Sequence, residues 1–260
     1  APGEGFDYEI QLPDDHPAGV FWYHPHHHGL VADQLFAGLY GALVVDEEDW
    51  SQAPPRIAVV SDVTIADGTV VTVSGVDRMR GRTGEVLLVN GQPSPQLHSP
   101  AGSQQRLLIV NACASRYLDL RLGGLDLLVR GVDSHRRTPQ SADRLVLAPG
   151  NRADVVITTP GKATDLVAAA YDRGQVGMGM MGGGSAISPE SVVLTITADA
   201  DAPAPAVADA ALGARRDLRQ AKVDATRTLT MGMGMGGGMG MRFLIDGRTF
   251  DPGRTDQSVT

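Results

Sequence analysis

The chain has 260 residues, enough for one large or two medium domains with a real core, and its 42% hydrophobic share is that of an ordinary globular protein. A formal net charge of −8 argues against a nucleic-acid or anionic-membrane surface, which needs clustered Lys and Arg. No apolar run approaches the roughly 20 residues of a transmembrane helix, and the single cysteine, Cys113, excludes an internal disulfide.

In chain order, "APGEGFDYEI" carries no basic-then-apolar leader, so any export signal is expected to have been removed or to lie outside these residues. His16, before Pro17 in "PDDHPAG", is expected in a turn. Next comes "FWYHPHHHG", residues 21 to 29, with four histidines in five positions behind an aromatic run. On a strand, His24 and His26 point the same way, roughly 6 to 7 Å apart along the backbone. They could share one metal or hold two adjacent ones. His28 joins that face only if the strand continues past Pro25, and His27 points oppositely. Imidazole suits copper, zinc, iron and nickel alike, so the pattern does not choose the metal. A zinc hydrolase using His-x-His competes, as does a solvent-exposed His-rich loop.

A short helix is expected over 29 to 39, "GLVADQLFAGL". Then the signal is β throughout: "GALVV" (41 to 45), "PRIAVVSDV" (55 to 63), "EVLLVNG" (85 to 91) and "QRLLIVNA" (105 to 112). So are "YLDLRLGGLDLLVRGVD" (117 to 133), "DRLVLAPGNRADVVI" (143 to 157) and "SVVLTITAD" (191 to 199). Gly, Pro, Asn and Asp punctuate them at sandwich spacing. "YLDLRL" alternates, with Leu118, Leu120 and Leu122 on one face and Asp119 and Arg121 on the other. The fold class is all-β, a β-sandwich. Cys113 reads as a small buried hydrophobe, His98 as a surface imidazole, and His135 as a turn residue beside Asp133, Arg136 and Arg137. There is neither a phosphate cradle nor a nucleophile elbow.

The Ala/Pro-rich stretch "ADAPAPAVADAALG" marks an interdomain linker, with a second helical candidate in "VADAALGARRDLRQAKV" (207 to 223). Two Gly/Met tracts, 174 to 184 and 231 to 241, hold eight of the nine methionines, a concentration that random core filling would not produce. So much glycine is expected to leave "MGMGMGGGMGM" without a packed face and mobile.

"FWYHPHHHGLVADQLFAGLYGALVVDEE" resembles the second copper-binding segment of the multicopper oxidases, the family of laccases, bilirubin oxidases and cuprous oxidases. The matching elements are Trp22, Tyr23, His24, His26, Gln34, Gly38, Leu39 and Gly41. The stretch from "LLVNGQPSP" to "NRADVVI" is similar to the family's second, copper-free domain, and "FLIDGRTFDPGRTDQSV" to the opening strand of its third. The resemblance implies cupredoxin-like Greek-key sandwiches: the end of a first domain (1–50), a complete second (51–199), a linker (200–227) and the start of a third (228–260). It implies copper as cofactor, with His24 and His26 each ligating one copper of the type-3 pair and His28 a weaker candidate. Electrons would pass from a substrate to a type-1 copper and on to a trinuclear cluster that reduces O₂ to water.

The substrate so implied is a phenol or Cu(I), in a periplasmic or secreted protein without nucleic-acid or membrane partners. Met-rich insertions occur in family members similar to the cuprous oxidases, and Met231, Met233, Met235, Met239 and Met241, with Met178, Met180 and Met181 upstream, are expected to recruit Cu(I). The incidental alternative is a flexible Gly-rich linker. The family's earlier His-x-His and its late His-Cys-His segments have no counterpart, since no His follows His135 and residues 1 to 23 contain only His16. The chain is therefore expected to be an internal portion of a three-domain oxidase, inactive by itself. The other function class is a non-catalytic copper-binding or scaffold protein, akin to the copper-free cell-division members. Two kept histidines favour the oxidase.

Overall fold

The computed structural model describes residues 3–45, 54–133, 135–174, 187–199, 207, 218–235, 241–256 and 258. It forms two compact units, Ala1–Leu212 and Gly213–Thr260.

The larger unit is a β-sandwich. One sheet has six strands in the order His135–Ala142, Leu127–Val132, Arg152–Thr158, Gln104–Asn111, Arg56–Val63 and Val86–Val89. The other has five: Leu145–Leu147, Leu118–Leu122, Thr164–Ala169, Ser191–Asp199 and Gln96–Pro100. Each sheet is antiparallel except for one parallel pair, Arg56–Val63 on Gln104–Asn111 and Ser191–Asp199 on Gln96–Pro100. Non-consecutive neighbours in both sheets give the cupredoxin-like Greek key that the sequence implied. Inward residues of the two sheets share one core, with Val60, Leu107, Ile109, Val129 and Val155 on one side and Leu120, Leu122, Leu166 and Ile196 on the other.

Every stretch expected as a strand contains one. Strand Gln104–Asn111 is apolar from Leu107 to Val110 because both its faces are covered there. Leu107 and Ile109 face the sandwich core, while Leu108 and Val110 face outward under a separate hairpin of Gly19–Tyr23 and Gly41–Val45. Val20 of that hairpin is buried against Leu108, Val110 and Ala112, with Trp22, Tyr40, Ala42 and Val44 packed around them.

The expected helix over 29 to 39 is shorter, Val31–Phe36. A second, Gly75–Arg80, begins at a reciprocal cap in which Ser74 and Asp77 each satisfy the other's backbone N–H. In the candidate over 207 to 223 only a 3₁₀ turn, Leu218–Gln220, is found among the described residues. Among the described residues no helix is long and apolar enough to cross a membrane.

In the smaller unit the two ends of the Gly/Met tract lie in strands. Met231–Met235 pairs antiparallel with Met241–Ile245, in the register Met231↔Ile245, Met233↔Phe243 and Met235↔Met241. The sequence Met-Gly-Met-Gly-Met has a period of two, which a strand turns into a face of alternate residues, and no helix competes for it. Asp246 and Gly247 turn the strand's far end, where the Asp246 carboxylate accepts from the Thr230 backbone at 2.8 Å.

Candidate metal centre

The site is built at the end of strand Gly19–Tyr23. That strand stops at Tyr23, so His24 and His26 stand just beyond it rather than on it as expected. Pro25 has no N–H to continue a ladder. The alternation nevertheless survives. The rings of Trp22, His24 and His26 form a file, with centroids 4.3 Å apart between the first two and 4.8 Å between the last two. His24 donates from Nδ1 to the Pro25 carbonyl at 3.1 Å, which fixes the tautomer and leaves Nε2 as its one ligand atom. His24 is half-buried and His26 exposed.

His28 does not extend the file along a strand. It enters the turn His28–Leu30, where the Leu30 N–H donates to the His27 carbonyl at 3.0 Å. The helix Val31–Phe36 follows, and Arg82 clamps it: its guanidinium lies 3.5 Å over the Phe36 ring, pairs with Asp33 at 3.3 Å and donates to the Val71 carbonyl. Chain reversal at Gly38, with φ +98°, returns the backbone to Gly41. Gly41 pairs with Tyr23, whose phenol ring occupies the space where a Cβ would stand. Two of the matching glycines thus have local reasons, one of backbone conformation and one of close approach.

The other candidates are not brought to this site. His16 closes a turn onto the Pro13 carbonyl at 3.0 Å and sets its ring edge-on to Phe21. His98 is a surface imidazole, as expected, within 2.9 Å of Thr197 Oγ1 and 3.3 Å of Asp199. His135 opens strand His135–Ala142 rather than lying in the turn, because it registers with Val132 across a tight reversal at Asp133. Cys113 is 1% exposed. Burial pushes its thiol well above the ordinary range and the nearby Asp62 charge adds to this, so it stays protonated and is no ligand.

Met231 and Met233 are 73% and 52% exposed on the ribbon. They border an apolar groove of about 880 Å³ shared with Phe243, Ile245 and Phe250. Met235 and Met241 lie in the two strands of the ribbon, and Met178, Met180, Met181 and Met239 lie outside the described residues. Among the described residues no group of three or more His, Cys, Asp or Glu side chains closes around a metal. Neighbouring imidazoles are donors of the kind copper takes.

The family model for multicopper oxidases matches residues 22–175, starting at Trp22. The chain belongs to that family. It is 25% identical over 222 residues to the multicopper oxidase MmcO of Mycobacterium tuberculosis, covering 73% of this chain and 43% of that protein. It is 30% identical over 166 residues to the cell division protein FtsP of Xenorhabdus nematophila, covering 60% of this chain and 34% of that one. Among solved structures, a Campylobacter jejuni multicopper oxidase described as a metallo-oxidase superposes with a TM-score of 0.69, at 26% identity over 95% of this chain and 54% of its own. The chain thus spans about a third to a half of the relatives it matches. Multicopper oxidases bind copper, and these 260 residues supply part of such a protein's fold.

Sequence reasoning missed the residues that hold the histidine strand from below: Gly150, Arg152 and Asp133. Gly150 and Arg152 lie in "DRLVLAPGNRADVVI", and the contact with Trp22 and Val20 is made across more than 120 positions.

Proposed function

We propose that the protein is a laccase-like multicopper oxidase, coupling one-electron oxidation of a phenolic or cuprous substrate to reduction of O₂ to water. Within it, His24 and His26 each hold one copper of the type-3 pair, with His28 the weaker candidate. The observation that carries this proposal is the file of Trp22, His24 and His26 at the strand end, with His24 Nδ1 tied to a backbone carbonyl and Nε2 left for a metal. Copper, when bound, supplies the one-electron steps. The chain's own residues orient the two imidazoles and keep His24 in one tautomer.

The same proposal divides the chain into the end of a first cupredoxin domain (1–50), a complete second (51–199), a linker (200–227) and the start of a third (228–260). It places the protein in the periplasm or outside the cell. Exposed Met231 and Met233, with Met235, Met239 and Met241, form a soft-ligand tract for recruiting Cu(I).

Cu(II) titration of the chain, followed by NMR, tests the ligand assignment. Paramagnetic broadening is expected first at the rings of His24 and His26 and is expected to be lost in His24→Ala and His26→Ala. Broadening confined to His98, or unchanged in both variants, overturns it. The 260 residues alone are expected to take up no oxygen with a phenol.

A second, non-catalytic reading as a copper-binding or scaffold protein is supported by the relative named as a cell division protein.

A further inference from the structure

With His24 taken as a copper ligand, as proposed above, we infer that Gly150 and Arg152 form a platform that positions its ring through Trp22 and Val20. Gly150 lies in the turn that feeds strand Arg152–Thr158 of the six-stranded sheet, and Arg152 is the first residue of that strand.

His24 is held on two sides. Trp22 lies against one face of its ring at 4.3 Å between centroids, tilted by 32°, and His26 stands at 4.8 Å, tilted by 35°. An imidazole keeps its direction more closely when the groups packed on it are themselves locked. Trp22 rests on Gly150: a Cβ there would meet indole Cζ2 at 3.5 Å, so any larger side chain would meet the indole. Gly150 has φ +82°, a conformation that L residues rarely adopt, so the flat seat beneath the indole is built into the backbone.

Arg152 fixes the same strand two residues earlier. Its Nε donates to the Val20 carbonyl at 3.0 Å, and Val20 is buried on the sheet. The guanidinium has little freedom of its own. Nη1 donates to the Gly150 carbonyl at 3.0 Å and pairs with Asp133 at 3.2 Å. Asp133 also accepts from the Arg152 backbone at 3.1 Å and from Asn151 Nδ2 at 3.1 and 3.2 Å. The Gly150 N–H donates to Asn111 at 2.8 Å and the Asn111 N–H to Asn151 at 2.9 Å. The turn is thereby pinned to the strand Gln104–Asn111, whose outer face carries the hairpin. From a rigid sheet, one hydrogen bond and one aromatic seat add to the Pro25 carbonyl in setting the direction of His24.

Four variants of the chain test this: Trp22→Leu, Trp22→Phe, Arg152→Ala and Arg152→Lys. The readouts are the ring-proton shifts of His24 and the apparent Cu(II) affinity, with the amide spectrum of the sandwich as the check on folding. Trp22→Leu and Arg152→Ala are expected to move the His24 ring signals and to weaken Cu(II) binding by about tenfold, the lower end of the usual cost of losing a ligand's support. Trp22→Phe, which keeps a ring on Gly150, is expected to recover most of the affinity. Arg152→Lys keeps the charge beside Asp133 but loses the planar fork, and is expected to behave like Arg152→Ala. It also serves in its place should the alanine variant fail to fold. Unmoved ring signals and unchanged affinity in Trp22→Leu and Arg152→Lys overturn the platform. Ring signals that move in a protein binding no Cu(II) at all leave the platform standing and overturn the copper assignment instead.

Discussion

Arg116 donates from Nε to Asp62 Oδ2 at 3.1 Å, and both side chains are sealed from solvent. The same carboxylate oxygen accepts from the Gly84 N–H at 2.7 Å, and Arg116 Nη2 donates to the Gly84 carbonyl at 2.7 Å. Its Nη1 reaches Pro189 and Ser191 at 3.4 Å, so one guanidinium ties strands of both sheets to the loop at Gly84. Removing one partner of a buried ion pair leaves the other charged and unpaired, at a cost of about 3–5 kcal/mol, whereas removing both costs far less. Arg116→Met is expected to lose stability in that range by denaturant unfolding, and Asp62→Leu/Arg116→Met to recover much of it. A double variant as unstable as the sum of the singles would show that the pair does not act as a unit.

The clamp on the helix Val31–Phe36 makes a second prediction. Arg82 is buried, stacked on Phe36, paired with Asp33 and bonded to the Val71 carbonyl. A desolvated cation–π contact is worth up to about 2 kcal/mol. Arg82→Ala is expected to lower stability by about 1–2 kcal/mol. It should also speed hydrogen exchange at the Ala37 and Leu39 amides, which bond back to Asp33 and Gln34 in that helix. Arg82→Lys is expected to recover little, because an ammonium supplies no plane to lie on the ring. Exchange unchanged at both amides would refute the clamp.

What the sequence made legible follows from where each signal lives. The runs at 56 to 63 and 105 to 112 were readable because buried strands demand Val, Ile and Leu. Gln96–Pro100 and His135–Ala142 were not, since each is the edge of its sheet, faces solvent along one side and tolerates Pro100 and Pro139 there. Gly75–Arg80 was announced only by Ser74 and Asp77, a cap with Asp where Glu is the usual partner. The Met-Gly ribbon was not legible as a strand pair, because its glycine content hides a period of two. At the site, the spacing of His24 and His26 was local and visible. The seat under Trp22 joins residues far apart in the chain, and no periodicity encodes it.

Asp119 carries the last prediction. Its strand alternates as expected, with Leu118, Leu120 and Leu122 in the core, yet the Asp119 carboxylate is also buried. It accepts from Arg144 Nε at 2.7 Å and Arg121 Nη2 at 3.0 Å, two half-exposed guanidiniums that close over it. Burial pushes its pKa up, but the hydrogen bonds and charges of Arg144 and Arg121 outweigh that and hold the carboxyl below its ordinary range. A carboxylate more acidic in the folded state than in the unfolded state stabilises the fold wherever it is ionised in both. That contribution is full above the unfolded value of about 3.9 and disappears as pH falls through the lower folded value. Wild type is therefore expected to be more stable than Asp119→Asn at pH 7 and pH 5, with the gap narrowing below about pH 4. Unfolding midpoints of the two proteins at pH 7, 5 and 3 measure it, and other acid-titrating groups cancel in the difference. A gap that stays constant down to pH 3 would mean that Asp119 is held by packing rather than by its charge.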